Sequence, residues 1–255
     1  MSTATIGEAA STHTGLGDEE IRKLVSTKVF FGHKSVGENV IVGIKGLMAN
    51  DPRLKLNLVR SSEPASVRGP AFIETEIGEN TDPVSKNDAF YSDLRAGLGA
   101  TGGIAMYKYC YVDITGSTNV PQLFDQYRRG IESLTAAHRD VQFVHVTVPL
   151  TTVEPAAKAW LKEILGRPTS RAANAKRNEF NQLLRQSYAP GSIFDLATVE
   201  STRPDGSRSY FTLRDKPIYT LAEEYTTDGG HLNAIGSEVA ARELLKILAK
   251  AADRD

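Results

Sequence analysis

The stretch at residues 28–40, KVFFGHKSVGENV, decides how the chain is read. Val29-Phe30-Phe31 is an apolar run that stops at Gly32. His33, Lys34 and Ser35 follow in a short polar turn. Val36, Val40, Ile41, Ile44, Leu47 and Met48 then recur on one face at helical spacing. A strand that runs through a tight turn into a helix presents one side chain at the strand's end. Ser35 is then a nucleophile, part of a phosphate cradle with Lys34, or a helix cap completed by Glu38 three residues on. The cradle fails on its glycines. A Walker loop needs one directly before Lys-Ser and one at its start, where this chain has His33 and Lys28.

Working outward, the alternation repeats. LKLNLVR (54–60), IAMYKYCYVDI (104–114), VQFVHVTV (141–148) and SIFDLA (192–197) read as further strands. A helix with Pro121 in its first turn follows the third strand, carrying Leu123, Phe124, Tyr127, Ile131 and Leu134 on one face. Helical stretches are expected at about 155–165 and 170–187, parted by Gly166 and Pro168. A last helix begins near Ala234. The pattern predicts a three-layer α/β/α, flavodoxin-like fold with a five-stranded parallel sheet. Residues 61–83 read as a long loop, and 198–227 as a hairpin turning at Pro204-Asp205-Gly206. Residues 1–17, small and polar, read as a flexible tail before a single domain at 18–255.

Composition narrows the function. A 40% hydrophobic and 24% charged chain of 255 residues can bury a sizeable core. Its formal net charge of −1 offers no basic excess for nucleic acid. No run approaches the ~20 apolar residues of a membrane span. The first residues lack the basic start and apolar core of a signal peptide, so a cytoplasmic location is expected. Cys110 is the single cysteine, which excludes an intramolecular disulfide and a multi-cysteine metal site.

Open parallel sheets bind ligands beyond the carboxyl ends of their strands. The segments there contain His33, Ser35, Asp113 and, before the last helix, TTDGGHLN at 226–233. Asp228 and His231 stand three apart. An aspartate at that spacing can turn back onto the imidazole, fix its tautomer and leave the other nitrogen for a serine. Each residue also has a plainer role open to it: Ser35 as a cap, Asp228 as an Asx turn, His231 as a helix-start residue. His145 in mid-strand reads as a core histidine.

TDGGHLNAIG resembles the closing block of the SGNH (GDSL-like) hydrolases, and VFFGHKSVG stands where that family has its first block, with Gly-His-Lys-Ser in place of Gly-Asp-Ser. The resemblance implies Ser35 as nucleophile, His231 as base and Asp228 as its partner. It implies an oxyanion hole with a glycine N–H, for which Gly78 is the candidate. The family's third block adds an asparagine, which YCYVDITG lacks, and Asn80 is the substitute candidate. His33 and Asp113 are expected to line the pocket. No metal or organic cofactor is implied. The expected substrate is a small-molecule or carbohydrate ester, hydrolysed by a serine esterase. O-acyl transfer and a non-catalytic binding domain remain as alternatives.

Overall fold

The computed structural model describes residues 14–155, 157, 165 and 168–253. The apolar run seen in the sequence is β1 (Lys28–His33). Its neighbours are β3 (Ala71–Glu76) and β4 (Gly103–Tyr107), both parallel to it. With β2 (Leu58–Arg60), β5 (Val141–Val146) and β6 (Ile193–Phe194), the parallel sheet runs β2-β3-β1-β4-β5-β6. Without edge strand β2 this is the 2-1-3-4-5 order of flavodoxin-like sheets. The chain is therefore an α/β protein of that class, with six strands where five were expected.

The additional strand is β3, inside the segment read as a loop. Its sequence, AFIETE, ends in acids and a threonine, yet Glu74 and Thr75 are buried. LKLNLVR contributes only its last three residues to the sheet, although Leu54 and Leu56 are buried. The expected third strand stops at Tyr107, and residues from Tyr111 to Asp113 form a turn of 3₁₀ helix.

The helices are α1 (Asp18–Val25), α2 (Val36–Asn50), α3 (Pro83–Arg95), α4 (Val120–Ala137), α5 (Ser170–Ser187), α6 (Leu196–Ser201) and α7 (Ala234–Ala251). Successive side chains of a strand face opposite ways. Val29 and Phe31 therefore join Ile41, Ile44, Leu244 and Leu248 on the α2/α7 side. Phe30 joins Phe90, Tyr127 and Phe180 on the α3/α4/α5 side. The helix expected at 155–165 lies largely outside the described residues. No described helix is long and apolar enough to cross a membrane.

Two further expectations are corrected. The two-stranded ribbon is β7 (Tyr210–Leu213) with β8 (Lys216–Tyr219), and it turns at Arg214 (φ 50°) and Asp215 (φ 60°). Positive φ at both central residues matches the right-handed strand twist. Pro204-Asp205-Gly206 makes a smaller turn, closed by a bridge between Thr202 and Arg208. At the amino end, Thr14 and Leu16 are buried, so the last part of the expected tail is packed; residues 1–13 lie outside the described residues.

Glu200 on α6 gives the fold a pH dependence. One carboxyl oxygen accepts the Leu150 N–H at 2.8 Å, and the other is buried without a partner. Burial pushes this carboxyl up to about 8 from 4.5. Between those values the unfolded chain sheds a proton that the folded chain keeps, so stability falls as pH rises through the window. Glu200→Gln keeps an acceptor for Leu150 and removes the titration. Relative to wild type, the variant is expected to gain on the order of 3 kcal/mol from pH 4.5 to 8. Urea unfolding at both pH values checks it; an unchanged difference between the proteins refutes it.

Candidate active site

The turn after β1 is strained. Ser35 has φ 57° and ψ −115°, a region that residues with a Cβ avoid at a cost of about 1–3 kcal/mol. It precedes α2, but its side chain caps nothing. Its carbonyl accepts the Glu38 N–H at 2.7 Å, while the Glu38 carboxylate pairs with Arg60 at 3.1 Å. The capping box is therefore absent, and the Ser35 hydroxyl is left to meet His231 Nε2 at 2.8 Å.

Residues 226–233 build the other half by local contacts. Asp228 Oδ1 accepts the N–H groups of Gly230 (2.9 Å) and His231 (2.8 Å). Its Oδ2 lies 2.6 Å from His231 Nδ1. The His231 N–H first, and the imidazole second, hold this carboxyl far below the usual carboxylate range. An ionised Asp228 makes Nδ1 the protonated nitrogen, so Nε2 is an acceptor for the serine O–H. Neighbouring elements clamp the loop. Thr152 N–H, after β5, donates to Gly229 O at 2.9 Å, and Leu232 N–H to Asn39 Oδ1 on α2 at 3.1 Å. Asn233 caps α7 through the Gly236 N–H. The Gly-Gly pair has a steric reason: Gly229 has φ 85°, and a Cβ on Gly230 would lie 2.8 Å from the Tyr111 ring.

The other predicted residues fall elsewhere. His33, expected in the pocket, lies inside the fold. It is 1% exposed, bonded through Nε2 to Glu74 at 3.0 Å. A Cβ on Gly37 would come within 2.4 Å of it, so the imidazole props the first turn of α2. Its hydrogen bond keeps the Glu74 carboxyl below its ordinary value. Asp113 is also buried. Its Oδ2 bonds Lys86 Nζ at 2.5 Å and accepts the Cys110 N–H at 2.6 Å, and its Oδ1 accepts the Thr81 N–H at 2.8 Å. It ties the loop after β3 to the turn after β4. Gly78 lies in that loop at φ 54°, against the first turn of α3. Asn80 Oδ1 accepts from Lys86 Nζ at 3.1 Å. Among the described residues, neither Gly78 nor Asn80 is bonded to the serine, histidine or aspartate.

Sequence reasoning missed Lys86, Tyr111 and Arg177. Arg177 on α5 is buried, and desolvation brings it down to about 10. Its Nε donates to Tyr111 O and its Nη1 to Thr151 Oγ1, both at 2.9 Å. Tyr111, Thr151, Thr152, Ser170, Arg177 and Gly230 border a cleft of about 370 Å³ beside Asp228. Tyr111 was read as part of the strand 104–114, which the structure ends at Tyr107, so its place on the rim was not visible; Lys86, inside an unread helix, had no signal either. Among the described residues His33, Glu38 and Glu74 bring ligand atoms within 4.8 Å of one another. Arg60 is already the cation on Glu38, and His33 the partner of Glu74.

The fold and its rim thus define a flavodoxin-like α/β protein with serine, histidine and aspartate hydrogen-bonded in series. No protein-family model and no curated protein sequence matches the chain. Among solved structures, it is similar to a carbohydrate esterase family 3 protein from Talaromyces cellulolyticus, at 15% identity over 90% of this chain and 99% of that one, TM-score 0.49. It is also similar to a protein described as lipolytic, of the G-D-S-L family, from Desulfitobacterium hafniense, at 10% identity over 87% and 99%, TM-score 0.44. A third, named as an SGNH hydrolase from Slackia heliotrinireducens, matches at 16% identity over 86% and 96%, TM-score 0.44.

Proposed function

We propose that the chain is a serine ester hydrolase of the SGNH type. The observation that carries this is the series Ser35 Oγ, His231 Nε2 and His231 Nδ1, Asp228 Oδ2, at 2.8 and 2.6 Å. Ser35 attacks the ester carbonyl as His231 takes its proton. His231 returns that proton to the leaving alcohol, and Asp228 holds the imidazole in register and stabilises its cation. Water then repeats the cycle on the acyl-serine. The Ser35 and Gly78 N–H groups and the Asn80 amide are the proposed oxyanion donors, each worth roughly 3 kcal/mol of barrier. Lys86 supports the Asn80 role, because its bond to Oδ1 leaves the amide nitrogen free to donate.

The cleft's hydroxyl and guanidinium lining suits a small acyl group on a polar alcohol, such as an O-acetylated carbohydrate. The His231 and Asp228 side chains are 44% and 53% exposed, which gives water access to an acyl-serine and favours hydrolysis over O-acyl transfer. A fluorophosphonate probe followed by peptide mapping is expected to label Ser35 in the folded protein. No label there, while a control esterase is labelled, would overturn the assignment.

A further inference from the structure

Tyr111 is not assigned by the esterase reading, yet it packs against the His231 imidazole and the Gly230 backbone. It begins the turn after β4. Its ring stands edge-on to the His231 imidazole, with centroids 5.7 Å apart and planes at 72°. Its hydroxyl end packs on Gly230, where a Cβ would come within 2.9 Å of the oxygen. The preceding residue's thiol, Cys110 Sγ, meets Lys34 O at 3.5 Å, which sets the Tyr111 turn beside the Ser35 turn.

The ring is held from behind. Arg177 fixes the Tyr111 carbonyl, and its guanidinium carbon sits 5.8 Å over the ring. Asp113 fixes the N–H of the preceding residue, Cys110. A side chain whose backbone is held on both sides, with its polar end beside a histidine bonded to a serine, is preorganised rather than merely packed.

We propose that Tyr111 is a catalytic residue whose hydroxyl donates a hydrogen bond to the ester carbonyl oxygen as Ser35 attacks. In the resting site the Ser35 O–H donates to His231, and the phenol O–H stands beside this pair. An incoming carbonyl oxygen accepts the phenol's hydrogen bond. As the C–O(Ser) bond forms, the carbonyl π electrons move onto this oxygen and the bond to the phenol shortens. The phenol keeps its proton, while the serine's proton goes to His231. Burial, with the Asp228 carboxylate close by, pushes the phenol's pKa up and keeps the group a donor.

This rests on Ser35 being an esterase nucleophile, and the test separates the two. Wild type and Tyr111→Phe are compared on 4-nitrophenyl acetate and on ethyl acetate, with fluorophosphonate labelling and thermal unfolding alongside. The expected result is a kcat about 10²-fold lower on both esters, KM changed by less than about threefold, and an unchanged Tm. A wild type that neither turns over nor labels at Ser35 overturns the esterase reading and this inference with it. A labelled, active wild type with an equally fast Phe variant overturns the Tyr111 role alone. So does a rise in KM at constant kcat, which marks packing, or a loss confined to ethyl acetate, which marks leaving-group protonation.

Discussion

Ser35→Ala is expected to lower kcat by about 10⁵-fold or more while leaving Tm within a few degrees of wild type. The two halves of this result have separate causes. The hydroxyl makes no cap bond, and its partner His231 is half-exposed, so its removal opens no cavity and orphans no buried group. The strain at φ 57° belongs to any side chain with a Cβ and is the same for alanine. The chemistry has no such reserve. Without Ser35 there is no acyl acceptor, and His231 has no proton to take. His231→Ala should therefore cost nearly as much, and the double variant little more, because residues that act as one unit are not additive. Rates on 4-nitrophenyl acetate with thermal unfolding read both halves. A Ser35→Ala protein keeping a tenth of the wild-type rate would end its assignment as nucleophile.

The part of this arrangement that the sequence carried is the part made by local geometry. The unit from β1 through the turn into α2 shows as a change of hydrophobic period, and the Asp228–His231 contact spans three residues. The Ser35–His231 bond joins residues 196 apart, and the expectation of a shared rim, with the family resemblance, brought them together. Where partners are both distant and polar, the reading failed. β3 looks like a loop because its acids seem to need water, but Glu74 is matched by His33, 41 residues away. His33 and Asp113 were placed in the pocket because they follow strands. Position along a strand does not say which way a side chain points, and both turn inward to charged or hydrogen-bonding partners. The plainer reading of Ser35 failed on a backbone angle, which residue type alone does not reveal.

Asp113→Ala is expected to be the most destabilising of these substitutions, at about 3–5 kcal/mol. Its carboxylate and the Lys86 ammonium are both wholly buried, 2.5 Å apart. Alanine leaves a buried cation with only the Asn80 carbonyl oxygen, and removes the acceptor of the Thr81 and Cys110 N–H groups. The buried Cys110 N–H left unpaired adds about 1–3 kcal/mol of desolvation cost, and the part-buried Thr81 N–H adds less because water reaches it. Against a total stability of about 5–15 kcal/mol, that is a large share. Asp113→Asn keeps an acceptor and the shape but loses the charge, so it should fall between wild type and alanine. Pairing Lys86→Met with Asp113→Ala should recover part of the loss by removing the stranded ammonium, but not all, because the two N–H groups stay unpaired. Urea unfolding measures the set, and an Asp113→Ala loss under about 1 kcal/mol would sink the argument. The same substitution reaches catalysis. Asp113 joins the loop bearing Gly78 and Asn80 to the turn that begins with Tyr111, the two segments carrying the proposed carbonyl-oxygen donors. Asp113→Asn should therefore lower kcat under conditions where it is still fully folded. Its fluorophosphonate label should stay on Ser35, since the hydrogen bonds that join Ser35, His231 and Asp228 run through neither segment.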